Sequence, residues 1–297
     1  MKTKLSPFVY LVKGSKNHLL YDSLKGKTFS IPSEGNPAEV EKQLIENKLV
    51  IETEGIVPFK FQPDIQRYKN NLILREIQIR ITGSCHRHCT NCGEIGKCKK
   101  DHTNLNRDLI DLLADQLTRF QIETLVITGG NPLLEIEKIN HIRSIISALC
   151  YKILLVSSPR DEFLKEKEIV SEKGFVLSHS ICHNENINQA DMTMNVTRFF
   201  YHQQFNPCWG NKLAIDTNGD IKPCLWSDHI LGNITNTHPA NIVLTKQCDP
   251  FWELTKDKIN GCRQCEFRYF CQDCRVRSER DRGQLDNKPS ICSYIQA

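Results

Sequence analysis

The stretch Gly83–Gly93, GSCHRHCTNCG, follows an alternating apolar segment, Ile77–Thr82, and contains three cysteines in a C-x3-C-x2-C spacing. The three are Cys85, Cys89 and Cys92. A loop of this length can wrap one iron–sulfur cube, in which three protein thiolates leave the fourth iron free for another ligand. Zinc is the alternative, because it accepts histidine together with cysteine and His86 or His88 would serve. The ligand preferences of the two metals favour iron–sulfur at this stretch.

The cysteine content of the whole chain supports metal binding. Fourteen cysteines are present, and the lysines at the start of the chain precede no apolar secretory segment. We therefore do not interpret the cysteines as a disulfide framework, because disulfides belong mainly to oxidising compartments. Most fall into two groups: Cys85, Cys89, Cys92 and Cys98 in the first, and Cys208, Cys224, Cys248, Cys262, Cys265, Cys271, Cys274 and Cys292 in the second.

Composition limits the remaining classes of function. The chain has 297 residues, 39% of them apolar, which is enough for two or three domains. Its net charge of +4 is spread along the sequence, so we expect no nucleic-acid partner. No apolar run approaches the roughly 20 residues that cross a bilayer, so we also expect no membrane partner. These features predict a cytoplasmic protein.

Residues 1–72 contain no cysteine and are predicted to form a small separate unit. Short β-type runs alternate with polar turns, and a helix is predicted to begin at Pro37. The predicted strands are Phe8–Val12, Leu19–Tyr21, Thr28–Ile31 and Leu49–Ile51. Such a unit suits a module that pairs a sheet edge with an extended peptide, and it suits a structural cap equally well.

From Leu72 the pattern changes to alternating strands and helices, which is typical of βα units around a parallel sheet. The predicted strands are Ile77–Thr82, Thr124–Thr128, Ile153–Val156, Phe175–Ser178 and, less regular, Met192–Thr197. The cysteine loop follows the first strand, and Gly129-Gly130-Asn131-Pro132 follows the second. Functional groups of such sheets gather where the strands end, so we expect a shared site there. The glycine pair also fits a plain tight turn.

The last third of the chain contains all of the second cysteine group. Asn218-Gly219 between two β-type runs predicts a hairpin, which Cys208 and Cys224 flank. Two C-x2-C pairs and a final cysteine follow: Cys262, Cys265, Cys271, Cys274 and Cys292. Paired C-x2-C knuckles also make zinc sites. Seven cysteines exceed one zinc site and fit two clusters, one with four cysteines and one with three and an open position.

Together these motifs resemble a radical S-adenosylmethionine (SAM) enzyme with a C-terminal SPASM domain, a group that includes maturases of ribosomally made peptides. The resemblance covers residues from about 76 to 292. It implies an α/β fold: a partial (β/α) TIM-like radical SAM barrel, a small winged-helix-like N-terminal α+β domain and a cysteine-rich SPASM domain. The implied domains are a peptide-recognition-like domain at 1–72, an abbreviated radical SAM core at 73–203 and a SPASM domain at 204–297.

The resemblance also implies the ligands of three [4Fe-4S] clusters and of SAM. The catalytic cluster would lie on Cys85, Cys89 and Cys92, with SAM on its fourth iron. The auxiliary clusters would lie on Cys208, Cys224 and Cys274, and on Cys262, Cys265, Cys271 and Cys292. Candidates for the open position of the first auxiliary cluster are Cys182, His202 and Cys248. The implied cofactor-binding residues are Gly129, Gly130, Asn131, Ser178 and Asn195.

The implied activity is cleavage of SAM to a 5′-deoxyadenosyl radical, which abstracts hydrogen from a precursor peptide to install a crosslink or an epimer. The implied partners are that peptide and an electron donor such as a flavodoxin or a ferredoxin. The protein supplies position and exclusion of water, while the hard chemistry belongs to the cofactor.

Three departures from the family pattern keep other functions open. Asn91 stands where the family has an aromatic residue, and Asn131 stands where it has a glutamate that receives the SAM ammonium. About 115 residues separate Cys92 from Cys208, fewer than a complete radical SAM core needs. One alternative is therefore a catalytically degenerate relative that binds a peptide or a partner. Another is a zinc-binding regulatory protein.

Overall fold

The computed structural model describes two compact units. The residues described are 2–53, 60–85, 103–156, 176–178, 193–272, 274–288, 292 and 294. The first unit combines Met1–Ile65, Asn184–Pro207 and Leu254–Ala297, and the second combines Gln66–His183 and Cys208–Glu253. Each unit is built from separated stretches of the chain. The sequence boundaries at 1–72, 73–203 and 204–297 stay a prediction.

The first unit contains two small antiparallel sheets and three helices within the described residues. Its strands are β1 (Lys2–Leu5), β2 (Val9–Lys13), β3 (Asn17–Asp22), β4 (Lys27–Pro32) and β5 (Val50–Thr53), and its helices are α1 (Pro37–Glu46), α5 (Val196–Gln204) and α8 (Arg275–Arg282). One sheet has the order β2-β3-β4, and β1 pairs with β5 in the other. The four predicted N-terminal strands and the predicted helix are confirmed, and β1 is an addition.

Local sequence signals explain these N-terminal elements. The side chain of Asn36 accepts a hydrogen bond from the amide of Ala38, and Pro37 occupies the first turn of α1, where its missing N–H costs nothing. Alternation along β2 and β3 directs Val9 and Leu20 into one core with Leu49. Phe29 and Leu44 pack against that core, so the sheet and α1 bury one apolar face together.

Aromatic side chains join α5 to the three-stranded sheet inside the first unit. The ring centroids of Tyr21 and Phe199 lie 4.6 Å apart, and those of Tyr10 and Phe200 lie 5.0 Å apart, edge to face. The Tyr21 hydroxyl donates to the carbonyl of Met194 at 2.5 Å, immediately before the helix. Such pairs contribute about 0.5–1.5 kcal/mol each beyond area burial, so α5 is held firmly on the sheet.

The second unit contains one mixed sheet of seven described strands. Its strands are β6 (Ile73–Thr82), β7 (Gln121–Gly129), β8 (Cys150–Val156), β9 (Val176–Ser178), β10 (Lys212–Ile215), β11 (Asp220–Lys222) and β12 (Gly232–Asn233). Its helices are α2 (Arg67–Asn70), α3 (Arg107–Leu117), α4 (Ile136–Ile146), α6 (Pro239–Leu244) and α7 (Asp249–Trp252). The sheet has the order β12-β11-β10-β6-β7-β8-β9.

The strand order confirms the predicted parallel sheet, and α3 and α4 follow its first two strands in the sequence as predicted. Strands β6, β7, β8 and β9 pair in parallel in chain order. They correspond to the four predicted strands that have the most regular sequence pattern. The hairpin at Asn218-Gly219 is also confirmed, since β10 pairs with β11 antiparallel and Gly219 has a φ of +85°. The sequence did not predict that β10 would pair in parallel with β6. The hairpin of the last third therefore extends the sheet that precedes the cysteine loop.

The two faces of β6 differ in chemistry. Ile77, Ile79 and Ile81 are fully buried on one face. Glu76 and Arg80 lie on the opposite face, where they make ion pairs. This alternation follows from the two-residue period of a strand, and it gives β6 one apolar and one charged face.

The fifth predicted strand, Met192–Thr197, is wrong. The segment begins a helix instead, because the Asn195 side chain accepts a hydrogen bond from the Arg198 amide at 2.8 Å and caps α5. A charged helix predicted between Asp161 and Lys173 lies outside the described residues, as does residue 192. Closure of the sheet into a partial barrel stays a prediction. Within the part of the chain that the structure describes, no helix has the length and apolarity needed to span a bilayer.

Candidate iron–sulfur site

Two loops meet at the carboxyl ends of β6 and β7, as the sequence predicted. The amide of Gly130 donates to the carbonyl of Thr82 at 2.8 Å, and the amide of Asn131 donates to the carbonyl of Ser84 at 2.8 Å. Cys85 follows directly and is partly exposed. The start of the cysteine loop is therefore fastened to the glycine turn by backbone hydrogen bonds.

The glycine pair is required by the closeness of these two backbones. A Cβ on Gly130 would lie 2.5 Å from the carbonyl oxygen of Ser84 and 2.7 Å from that of Gly83. A Cβ on Gly129 would lie 2.6 Å from the carbonyl oxygen of Thr82. Both positions require glycine because the two backbones approach closely. Backbone conformation does not require it, since neither glycine has a positive φ.

Asn131 is almost completely buried, with 4% of its surface exposed. Its side-chain oxygen accepts from the amide of Leu133 at 3.3 Å and caps the short 3₁₀ turn Pro132–Glu135. An amide oxygen has two lone pairs, so one acceptor position is engaged in this cap. The residue at the expected ammonium-binding position thus also has a local structural role.

The remaining predicted residues of the catalytic site are two cluster ligands, Cys89 and Cys92, and two SAM contacts, Ser178 and Asn195. Cys89 and Cys92 lie outside the described residues. Ser178 ends β9 opposite Val156, so its backbone lies at the same carboxyl edge as the glycine turn. Asn195 belongs to the first unit and caps a helix there, so it does not end a strand of the sheet.

Cys208 and Cys224 both belong to the second unit and share one buried cation. The amine of Lys212 lies 3.8 Å from the sulfur of Cys208, and the charges of both cysteines act on this amine. The guanidinium of Arg75 donates to the Cys208 carbonyl at 3.1 Å. The hairpin therefore brings the two predicted ligands within electrostatic range of a single lysine.

Charge determines the protonation of this lysine. Burial by itself lowers the pKa of the Lys212 amine, but the negative charges of Cys208, Glu76 and Cys224 outweigh burial and raise it above its usual value. Glu76 shows the reciprocal effect: burial raises its pKa, while Lys212 and Arg75 hold the pKa below its usual range. The ammonium and the carboxylate are therefore both charged at neutral pH.

The four cysteines of the second predicted auxiliary cluster all belong to the first unit. They are Cys262, Cys265, Cys271 and Cys292. Burial raises the pKa of the Cys262 thiol, against the charges of Lys256 and Arg275, which lower it. Burial also raises the pKa of Cys265, to about 12. Thiols of this kind are stabilised as thiolates by a metal, since a coordinating thiol is deprotonated outright.

Two fully buried cations accompany this group. Lys256 lies within electrostatic range of Cys271, Cys262 and Cys292, and burial lowers the pKa of its amine. Arg275 donates to the carbonyls of residues 285 and 287, at 2.7 and 2.9 Å, in the segment that leads to Cys292. Buried cations beside four thiols are expected where the thiols carry negative charge.

The remaining candidate ligands belong partly to the first unit and partly to the second. Cys274 belongs to the first unit, whereas Cys208 and Cys224 belong to the second. His202 is buried and its Nδ1 lies 2.7 Å from the carbonyl oxygen of Tyr269. Cys248 is buried, and burial raises the pKa of its thiol. Cys182 lies outside the described residues.

Within the described ranges, no three His, Cys, Asp or Glu side chains are close enough to hold a single metal ion. A cluster of four irons holds its thiolates farther apart than one ion does. The chemistry of the two predicted auxiliary groups fits such a cluster, because buried thiols lie in each group with buried cations beside them.

A comparison with protein families matches residues 208–266 to SPASM, an iron-sulfur cluster-binding domain. This segment is similar to a SPASM domain. The match begins at Cys208 and includes Cys224, Cys262 and Cys265. It confirms the SPASM part of the resemblance predicted from the cysteine spacing, and the radical SAM core stays a prediction.

Several solved structures are similar to this chain. SuiB of Streptococcus suis, bound to precursor peptide SuiA, is 11% identical, with a TM-score of 0.38 over 99% of this chain and 100% of SuiB. Native anSMEcpe with bound AdoMet and a peptide is 12% identical, with a TM-score of 0.46 over 73% of this chain and 92% of the other. BtrN in complex with AdoMet and 2-DOIA is 16% identical, with a TM-score of 0.44 over 68% of this chain and 99% of the other.

At these identities, and with TM-scores below 0.5, the likeness assigns no activity to this chain. A comparison with curated proteins finds no match. The number and composition of the clusters stay a prediction, as does each ligand assignment.

Sequence reasoning missed the buried ions around the cysteines. Each of these ions lies in a stretch whose sequence pattern indicates an ordinary strand or a charged turn. The residues are Glu76, Lys212, Lys256 and Arg275. One signal was present for Lys212, since this lysine is the first residue of the otherwise apolar strand KLAI. Burial of that lysine depends on the pairing of β10 with β6, which the sequence pattern did not indicate.

Proposed function

We propose that this protein is a radical SAM enzyme that modifies a ribosomally made precursor peptide. One observation carries the proposal: the backbone junction between Ser84 and Asn131 at the carboxyl edge of a parallel sheet. A hairpin that begins the SPASM match extends the same sheet. The cysteine loop and the auxiliary-cluster hairpin thus share β6 as their common support.

The residues that would hold the catalytic cluster are Cys85, Cys89 and Cys92. The close approach at Gly130 supports this assignment, because it fixes the start of the loop against the turn that would face SAM. When bound, the cluster and SAM supply the 5′-deoxyadenosyl radical that abstracts hydrogen. Asn131 would accept a hydrogen bond from the SAM ammonium through its second lone pair.

The chain would hold two auxiliary clusters. The first would use Cys208, Cys224 and Cys274, and the second would use Cys262, Cys265, Cys271 and Cys292. The buried cations Lys212 and Lys256 support both assignments, because a cluster with thiolate ligands carries negative charge that a buried site must compensate. An electron donor such as a flavodoxin or a ferredoxin would reduce these centres.

The precursor peptide would dock on the first unit. Support comes from β4, an edge strand of the β2-β3-β4 sheet among the described strands, because an edge strand offers backbone groups to an extended chain. A cavity of about 430 Å³ lies beside it, lined by Thr28 and Ser30 of β4 together with Phe267 and Tyr294. The product would be a crosslink or an epimer in that peptide.

The test is anaerobic reconstitution with iron and sulfide, followed by SAM and a strong reductant. Wild-type protein should contain roughly twelve iron atoms per chain, as three four-iron clusters require. It should also release 5′-deoxyadenosine, and Cys85→Ala should not. A fully loaded protein that releases none would overturn the proposal. Zinc in place of iron would instead indicate the regulatory zinc protein.

A second candidate, a relative that binds a peptide or a partner without cleaving SAM, is favoured by one observation. The side-chain oxygen of Asn131 already caps the turn that follows it, and a neutral amide makes a weaker bond to an ammonium than a carboxylate does. This candidate predicts weak SAM binding. Isothermal titration of the iron-loaded protein with SAM distinguishes the two, since micromolar affinity contradicts the second.

A further inference from the structure

We propose that Lys212 and Glu76 form a buried charge pair that sets the reduction potential of the auxiliary cluster on Cys208 and Cys224. The inference rests on the proposed function, because it requires that cluster. Lys212 and Glu76 are not ligands, and they act on the cluster through their charges and positions. It also predicts opposite effects for the two members of the pair.

The first observation is the placement of the amine. The Lys212 amine lies 3.8 Å from the Cys208 sulfur and 3.4 Å from a Glu76 carboxylate oxygen. Only 5% of Lys212 is exposed. The amine is therefore a potential N–H donor to a ligand sulfur, in a place where water screens its charge little.

The second observation is that the strand register fixes this placement. Lys212 of β10 stands directly opposite Glu76 of β6 in the parallel pair. The carbonyl of Lys212 also accepts from the indole N–H of Trp252 at 2.8 Å. The pair is thus held by backbone pairing, and its position does not depend on a flexible loop.

The third observation is that a neighbouring cation holds the cysteine itself. The guanidinium of Arg75 donates to the Cys208 carbonyl at 3.1 Å, and the amide of Arg75 donates to the carbonyl of Asn211. Arg75 therefore fastens the backbone of the ligand, while Lys212 faces its sulfur. Each contact comes from β6 or from the strand next to it.

The sign of each effect follows from charge. Reduction adds an electron to the cluster, so a cation and an N–H donor at a ligand sulfur stabilise the reduced form and raise the potential. Glu76 partly neutralises that cation and so lowers the potential. Removing the ammonium and removing the carboxylate should therefore shift the potential in opposite directions.

The experiment is a redox titration of the reconstituted full chain, followed by electron paramagnetic resonance. A reduction wave is here the change in signal intensity with potential that belongs to one cluster. The wave that disappears in Cys208→Ala belongs to the cluster on Cys208 and Cys224. In Lys212→Met, the ratio of reduced to oxidised cluster at a fixed potential should fall about tenfold, which equals about 59 mV for one electron. In Glu76→Gln the ratio should rise, and in Lys212→Arg it should stay close to wild type.

The matched control is Lys138→Met. It also removes one ammonium from an ion pair of the second unit, since Lys138 lies 3.0 Å from Glu135, but it belongs to α4. The wave should not move in this variant. An equal shift in the control would show a general effect of net charge and would overturn the inference.

An unmoved wave in Lys212→Met, or shifts of the same sign in Lys212→Met and Glu76→Gln, would overturn the inference and leave the proposed function intact. If Lys212→Met loses the cluster, as its iron content would show, Glu76→Gln and Lys212→Arg provide the test. If no wave of the wild type depends on Cys208, the auxiliary cluster itself is refuted and the inference falls with it.

Discussion

The junction between the cysteine loop and the glycine turn can be tested with one added methyl group, in Gly130→Ala. The new Cβ would lie 2.5 Å from the Ser84 carbonyl oxygen and 2.7 Å from that of Gly83. Both atoms are backbone, so a change of rotamer cannot relieve the contact. The two loops must separate, and the bond from the Asn131 amide to Ser84 is lost or lengthened.

The magnitude follows from these contacts. Overpacking costs about 1–3 kcal/mol, and a lost hydrogen bond costs about 1 kcal/mol. We therefore expect Gly130→Ala to lower the free energy of unfolding by about 2–4 kcal/mol. We also expect weaker SAM binding and incomplete loading of the cluster on Cys85.

The assay is anaerobic urea unfolding of wild type and variant, with midpoint and slope compared, and then iron content and SAM titration after reconstitution. Gly35→Ala is the matched control, because a Cβ there would meet its neighbours at ordinary distances of 3.5 Å or more. A Gly130→Ala protein within about 0.5 kcal/mol of wild type that binds SAM normally would refute the reasoning.

Three further predictions concern stability. In Gly14→Ala, a Cβ would collide with a backbone carbonyl and with the buried Glu266 at 2.8 Å, so the melting temperature should fall, and an unchanged value would contradict this packing. Asn106→Ala should lose about 1 kcal/mol in urea unfolding because this side chain caps α3, whereas Asn106→Asp should stay near wild type. Burial raises the pKa of Asp216, but a hydrogen bond from Lys222 at 2.7 Å and the positive charges around it outweigh burial and hold the pKa below its usual value. Its contribution is therefore full above the unfolded pKa of about 4 and is lost as the pH falls below that value. Urea midpoints of wild type and Asp216→Asn should converge at acid pH, and parallel pH profiles would contradict this.

Local patterns predicted several elements correctly because each pattern reports a short-range preference. Pro37 placed the start of α1, and Asn218-Gly219 placed the β10–β11 hairpin, since a tight turn needs a residue that tolerates positive φ. The glycine turn after β7 was predicted to lie near the cysteine loop, because parallel strands end at one edge. These features depend on neighbours in sequence or on a simple rule of topology.

The same local approach failed where two signals competed. The residues around Met194 were predicted as a strand, but Asn195 is an efficient helix cap and Phe199 and Phe200 are buried by α5 packing on the sheet. A single sequence cannot rank a cap against a weak strand pattern, because the deciding free energy comes from tertiary burial. The predicted SAM contact at Asn195 depended on that strand.

The sequence by itself determined the cysteine spacings, the hairpin and the alternation of strands and helices, because all of these are local features of the chain. Tertiary structure alone decided that β10 pairs in parallel with β6, which places Lys212 opposite Glu76 and beside Cys208. More than a hundred residues separate these strands, and their pairing is set by burial of a whole sheet face. A spacing can therefore name the cysteines, but only the fold shows which charges surround them.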